Sequence, residues 1–135
     1  MAIFLDTSVL IAARNVDDKN HTRAKELMRL MLKGEHGEIY TSDYVIDEAI
    51  TLMLRRTKRL KLAIDVGEYV LSSSRITRLR VTDEVFHAAW ERFKSLGKRP
   101  MSFTDCTSLA LMEKVGIKGI ASFDSGFDGL VQRIS

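Results

Sequence analysis

Ala2-Ile3-Phe4-Leu5-Asp6 opens the sequence: an apolar run stopped by an acid. So short and unbroken a run reads as a strand buried on both faces. Thr7 to Arg14 then reads as a short helix, followed by a polar break from Asn15 to Asn20. From His21 to Lys33, Ala24, Leu27, Met28 and Met31 recur at helical spacing, and Gly34 ends the pattern. Glu38 to Thr41 is a second strand. Ser42 or Asp43 caps a helix running to about Thr57, with Val45, Ile46, Ala49, Ile50 and Met53 turned inward.

The alternation continues to the end of the sequence. Lys61 to Ser73 is another helix, and Ile76 to Val81 a third strand. Thr82 caps a helix with Val85, Ala88, Ala89, Phe93 and Leu96 on one side. Gly97-Lys98-Arg99-Pro100 is a turn. Ser102 caps the next helix, which carries Phe103, Cys106, Leu109, Ala110 and Leu111 and closes at Gly116. Lys118 to Ser122 is a fourth strand, and Leu130 to Ile134 a short fifth. Strand–helix alternation predicts an α/β fold: a three-layer α/β/α sandwich with a central, mainly parallel sheet and the first strand near its middle. No linker, repeat or low-complexity tract interrupts it, so residues 1–135 are expected to form a single domain.

Composition narrows the function classes. The mix, 45% hydrophobic and 29% charged, is that of an ordinary globular domain. Cys106 is the lone cysteine, which excludes an internal disulfide, and no Cys/His spacing suggests zinc. The apolar runs are too short to span a bilayer, and the start lacks the shape of a signal peptide. A cytosolic protein, with no membrane partner, is expected. The net charge of +3 tolerates an anionic partner such as nucleic acid, but solvated helix faces account for it equally well.

Acids gather where an open parallel sheet binds its ligands, beyond the carboxyl ends of the strands. Asp6 follows the first strand and Asp124 the fourth. Asp43, Asp47 and Glu48 follow the second, and Asp105 lies in the first turn of the helix before the fourth. Clustered carboxylates repel one another unless a cation joins them, and oxygen-only ligands suit Mg²⁺ or Mn²⁺. Each acid also has a plainer role. Asp6 could cap its helix, Asp105 could complete a capping box with Ser102, and Asp124 and Asp128 could shape a turn around Gly126. Glu48 lies at the border of its helix's apolar stripe, so the helical wheel leaves Asp47 and Glu48 as rivals.

Four segments in order resemble the PIN-domain family. They are Phe4-Leu5-Asp6-Thr7-Ser8-Val9-Leu10-Ile11, Thr41-Ser42-Asp43-Tyr44-Val45-Ile46-Asp47-Glu48, Ser102-Phe103-Thr104-Asp105-Cys106 and Ser122-Phe123-Asp124-Ser125-Gly126-Phe127. The match covers essentially the whole chain. Ser122 stands where threonine is common, which keeps the hydroxyl. The resemblance implies a divalent-metal-dependent ribonuclease with Asp6, Glu48, Asp105 and Asp124 as both catalytic acids and metal ligands, binding one or two Mg²⁺ or Mn²⁺ ions. Small stand-alone members resemble VapC toxins of toxin–antitoxin pairs, so the expected partners are RNA, a small antitoxin protein and a second copy of the chain in a homodimer.

Supporting roles are also expected. Ser8 and Thr104 could bond a carboxylate or a metal-bound water, although as helix-start hydroxyls they could equally serve as caps, and the Ser122 hydroxyl is a further supporting candidate. Asp128 is an additional acid near the site. Lys98 and Arg99, just before the third segment, are expected at RNA phosphates. The run Arg55-Arg56-Thr57-Lys58-Arg59-Leu60-Lys61 reads more readily as a solvated helix end, where cations favour the dipole. His21, His36 and His87 fall outside the four segments and are read as structural.

Rival readings lack needed residues. A haloacid-dehalogenase-like phosphatase wants an acid two residues after Asp6, where Ser8 stands. A phospho-receiver domain wants an early acidic pair, and Asp6 has no acidic neighbour. A degenerate, non-catalytic PIN-like domain that only binds RNA or a partner is at odds with the complete acid set.

Overall fold

The computed structural model describes residues 1–135. The opening apolar run forms β1 (Ala2–Leu5), and Ile3, Phe4 and Leu5 are all but fully buried. β1 is the central strand of a five-stranded parallel sheet. Beside it lie β2 (Glu38–Ser42) and β4 (Gly119–Ala121), with β3 (Ile76–Leu79) and β5 (Gln132–Ile134) at the edges, in the order β3-β2-β1-β4-β5. At the amino edge the Met1 carbonyl accepts the Glu38 N–H. Gly37 makes that approach possible, since a Cβ there would stand 2.0 Å from the Met1 oxygen.

Four helices connect the first three strands: α1 (Thr7–Arg14), α2 (His21–Leu32), α3 (Asp43–Thr57) and α4 (Leu60–Leu71). They pack on one another, with α1 touching α2, α3 and α4. Right-handed crossovers that step from β1 to β2 to β3 put them on one face of the sheet. The next crossover reverses direction, from β3 past β1 to β4, and carries α5 (Asp83–Lys94) and α6 (Phe103–Val115) to the other face. The strand order therefore switches between β1 and β4, and the crevice at their carboxyl ends is where such a sheet takes a ligand.

All five expected strands and six expected helices are present, several with shifted ends. The third strand stops at Leu79 rather than Val81, because the Val81 N–H turns to the Asp43 carboxylate. The helix expected over Lys61 to Ser73 is Leu60–Leu71. Only Val85 and Ala89 of α5 are buried; Ala88 and Phe93 lie exposed, because α5 packs chiefly on α6. That leaves Phe86, Trp90 and Phe93 in an exposed stripe at helical spacing, gathered around Phe103 with ring centroids 5.0, 6.4 and 6.0 Å from it. No helix is long and apolar enough to cross a membrane.

Candidate active site at the carboxyl edge of the sheet

Asp6 occupies the N-cap position of α1, yet its side chain makes no capping bond. It turns instead to hydroxyls. Ser122 Oγ donates to Asp6 Oδ2 at 2.6 Å, and Ser8 Oγ donates to the same oxygen at 3.1 Å. Both hydroxyls also accept backbone N–H groups: Ser122 from Asp124 at 3.0 Å, Ser8 from Phe123 at 2.9 Å. The network ties the end of β1 to the loop after β4 and fixes the Asp6 carboxylate at the switch point.

Asp6, Glu48, Asp105 and Asp124 all line one cavity of about 290 Å³, together with Thr7, Ser8, Ile11, Leu52, Arg56, Pro100 and Ser102. A larger hollow of about 830 Å³ opens at the amino edge, but Glu38 is its only acid. The helical rivals separate clearly. Glu48 reaches the cavity and has no hydrogen-bond or ion-pair partner, whereas Asp47 is exposed and takes the Thr51 hydroxyl at 3.5 Å.

Two of the cavity acids also do local work. Ser102 Oγ accepts the Asp105 N–H and Asp105 Oδ2 accepts the Ser102 N–H, both at 3.0 Å, a complete capping box for α6. Asp124 Oδ1 accepts the Gly126 N–H at 2.8 Å, shaping the turn into a short 3-10 segment, Ser125–Phe127. In each case the other carboxylate oxygen has no partner within the chain.

Burial and mutual repulsion act on these acids. Burial pushes Asp6 up to about 6; bonds from Ser122, the Thr7 backbone and Ser8 oppose the rise, and the Glu48 charge adds to it. Asp105 is pushed up to about 7, first by burial, then by the charge of Asp6; the Ser102 N–H opposes, and Asp124 and Glu48 add further. The carboxylates thus sense one another's charge. No three acidic side chains are drawn around one point as a finished coordination shell. The donors nonetheless fit a hard divalent cation in kind: oxygen-only, anionic, partly desolvated and raised in energy by each other's charge.

The remaining expected residues lie elsewhere. Thr104 is not in the cavity wall; its carbonyl accepts the Thr107 hydroxyl. Asp128 is held by Arg133, at 2.7 and 3.2 Å, outside the cavity. Arg99 donates to the carbonyls of Gly126 and Asp128, clamping the loop after β4, and neither it nor Lys98 lines the cavity. Arg56 does line it and was passed over in the basic run. The signal was available: Glu48, Leu52 and Arg56 follow the i, i+4, i+8 spacing of one helix face.

Fold and cavity together define a parallel α/β protein with an acidic, oxygen-only site at the switch point of its sheet. The family model for the PIN domain matches residues 3–131, and the chain belongs to the PIN-domain family. Within it, the chain resembles the stand-alone VapC-type toxin ribonucleases. The 23S rRNA-specific endonuclease VapC20 of Mycobacterium tuberculosis is 34% identical over 126 residues, 93% of this chain and 91% of that protein. The crystal structure of VapC20, described as a sarcin-ricin loop cleaving toxin, matches with a TM-score of 0.81 over 93% of this chain and 92% of the other. Two more distant structures share the fold. VapBC2 from Rickettsia felis, bound to a promoter DNA fragment, has 14% identity and a TM-score of 0.69 over 99% of this chain and 98% of the other. FitAcB from Neisseria gonorrhoeae has 18% identity and a TM-score of 0.59 over 98% and 96%.

Proposed function

We propose that this protein is a divalent-metal-dependent endoribonuclease, the toxin of a VapBC-type toxin–antitoxin pair acting in the cytoplasm. The observation that carries the reading is the meeting of Asp6, Glu48, Asp105 and Asp124 in one cavity at the switch point. These acids are the proposed ligands of Mg²⁺ or Mn²⁺. When bound, such an ion supplies an acidified water and a clamp for the oxygens of a phosphodiester. The chain's own residues prepare that site. Ser8 and Ser122 hold Asp6 in one orientation, and the capping box holds Asp105 with one oxygen free. The identity to VapC20 supports a structured ribosomal RNA as the substrate class. The same likeness supports a small antitoxin protein as partner. The exposed aromatic stripe of α5 supports a second copy of the chain in a homodimer.

The test is cleavage of RNA and single-stranded DNA by the purified protein, with Mn²⁺, with Mg²⁺ and with a chelator. RNA alone should be cut, and only with metal. Asp6→Asn should lower cleavage by at least the roughly 100-fold that loss of an outer partner of a metal site can cost. Undiminished cleavage by the variant, or by the parent in chelator, overturns the carboxylate–metal reading.

A further inference from the structure

Arg56 is the one basic side chain in the wall of the acidic cavity. It stands on the cavity-facing side of α3, two helical turns beyond Glu48 with Leu52 between them. Four of the other arginines are matched to acids, Arg14 to Asp65, Arg29 to Glu26, Arg92 to Glu113 and Arg133 to Asp128, and those left unmatched, such as Arg55 and Arg59, do not line the cavity. Arg56 has no ion-pair or hydrogen-bond partner, despite the nearby carboxylates. Eight residues of helix carry its Cα about 12 Å from that of Glu48. Helical side chains lean back toward the amino end, so the guanidinium points toward the cavity without entering the cluster of acids.

The geometry points to Arg56 as the grip for an RNA phosphate adjacent to the scissile one, a positioning residue for the cleavage reaction. This rests on the ribonuclease reading above. A planar guanidinium matches two phosphate oxygens at once and keeps its charge at any working pH. A strand entering an acidic cavity is repelled by it, and a cation on the rim offsets that repulsion where the backbone passes. The competing role is neutralisation of Glu48, which would show in metal affinity instead of RNA affinity.

The variants are Arg56→Ala and Arg56→Lys, assayed on 23S ribosomal RNA with saturating Mn²⁺ across a salt series, with Mn²⁺ affinity measured by calorimetry. Arg56→Ala should raise KM roughly ten-fold, the worth of one charge-assisted bond, with kcat held within about two-fold. The salt dependence of kcat/KM should flatten by about 0.7 in logarithmic slope, one phosphate contact fewer. Arg56→Lys should recover part of both, and Mn²⁺ affinity should stay unchanged. Unchanged KM and slope, or a change confined to Mn²⁺ affinity, overturns the proposal. Binding of fluorescein-labelled random-sequence RNA to Asp6→Asn, with and without Arg56→Ala, separates the two readings. Weaker binding by the double variant supports Arg56 even if the parent cuts nothing; equal binding overturns it.

Discussion

Asp105 shows how one side chain can answer two demands. One oxygen closes the capping box of α6, and the other is left for the cavity. The plain reading of the sequence and the functional one were therefore never exclusive there. Both Asp6 and Asp105 sit above the ordinary carboxylate value of 3.8, at about 6 and about 7. Between pH 4 and 7 the folded protein thus holds protons that the unfolded chain has released. Stability linked to these acids is greatest at the acidic end and is lost as pH rises through 6 to 7. Without metal, the melting temperature should rise on acidification from pH 8 to pH 5. With saturating Mn²⁺ the trend should weaken or reverse, because protons and metal compete for the same oxygens. Melting curves across that range, in chelator and in Mn²⁺, check the sign; a metal-free protein that is least stable at pH 5 contradicts it. Asp6, Asp105 and Asp124 were legible in the sequence because strand ends and helix starts mark them. Glu48 was chosen over Asp47 by the family resemblance alone, because the helical wheel left the two as rivals and only packing sets the rotation of α3.

At the scale of the element, α3 displays both kinds of ending. Its start was readable: Ser42 accepts the Val45 N–H, as the capping rule anticipates. Its end falls at Thr57, as expected, but the way it closes was not readable, because Lys58 takes the left-handed conformation, at φ 58°, where glycine is usual. That conformation costs a residue with a Cβ about 1 kcal/mol. Lys58→Gly should therefore raise stability by about 0.5 kcal/mol once the looser unfolded chain is counted. Urea unfolding of the two proteins measures the difference, and a lower midpoint for the variant would contradict it. Strand ends were missed for another reason. β3 stops where Val81 bonds to Asp43, a contact that joins residues far apart in the chain and that no local pattern contains. The exposed side of α5 was hidden for a similar reason: Phe93 sits in an apolar pattern, and only the absence of a second packing neighbour leaves it outside.

At the scale of the whole molecule, the order of strands and helices, with the doubly buried look of Ile3 to Leu5, was enough to anticipate the parallel sheet with β1 near its middle. It could not supply the reversal between β3 and β4, which puts β1 and β4 side by side and makes the crevice. The surface carries a prediction of its own. Phe86, Trp90 and Phe93 are 42%, 46% and 39% exposed, a costly aromatic patch for an isolated domain. The protein should run as a homodimer by light scattering at micromolar concentration, and Trp90→Glu should shift it to monomer while cleavage of short RNA persists. A monomeric parent at that concentration sinks the assignment.

The uniform direction of the strands bears on how the protein is handled in the laboratory. The chain through β1 runs from Met1 at one rim of the sheet to Asp6 at the other, about 16 Å of extended chain. β5 runs the same way, so Ser135 emerges at the rim that carries the acids. An affinity tag or fluorescent protein fused ahead of Met1 hangs from the far rim and leaves the acidic mouth open. The same cargo fused after Ser135 stands beside that mouth and crowds whatever long polymer must pass through it.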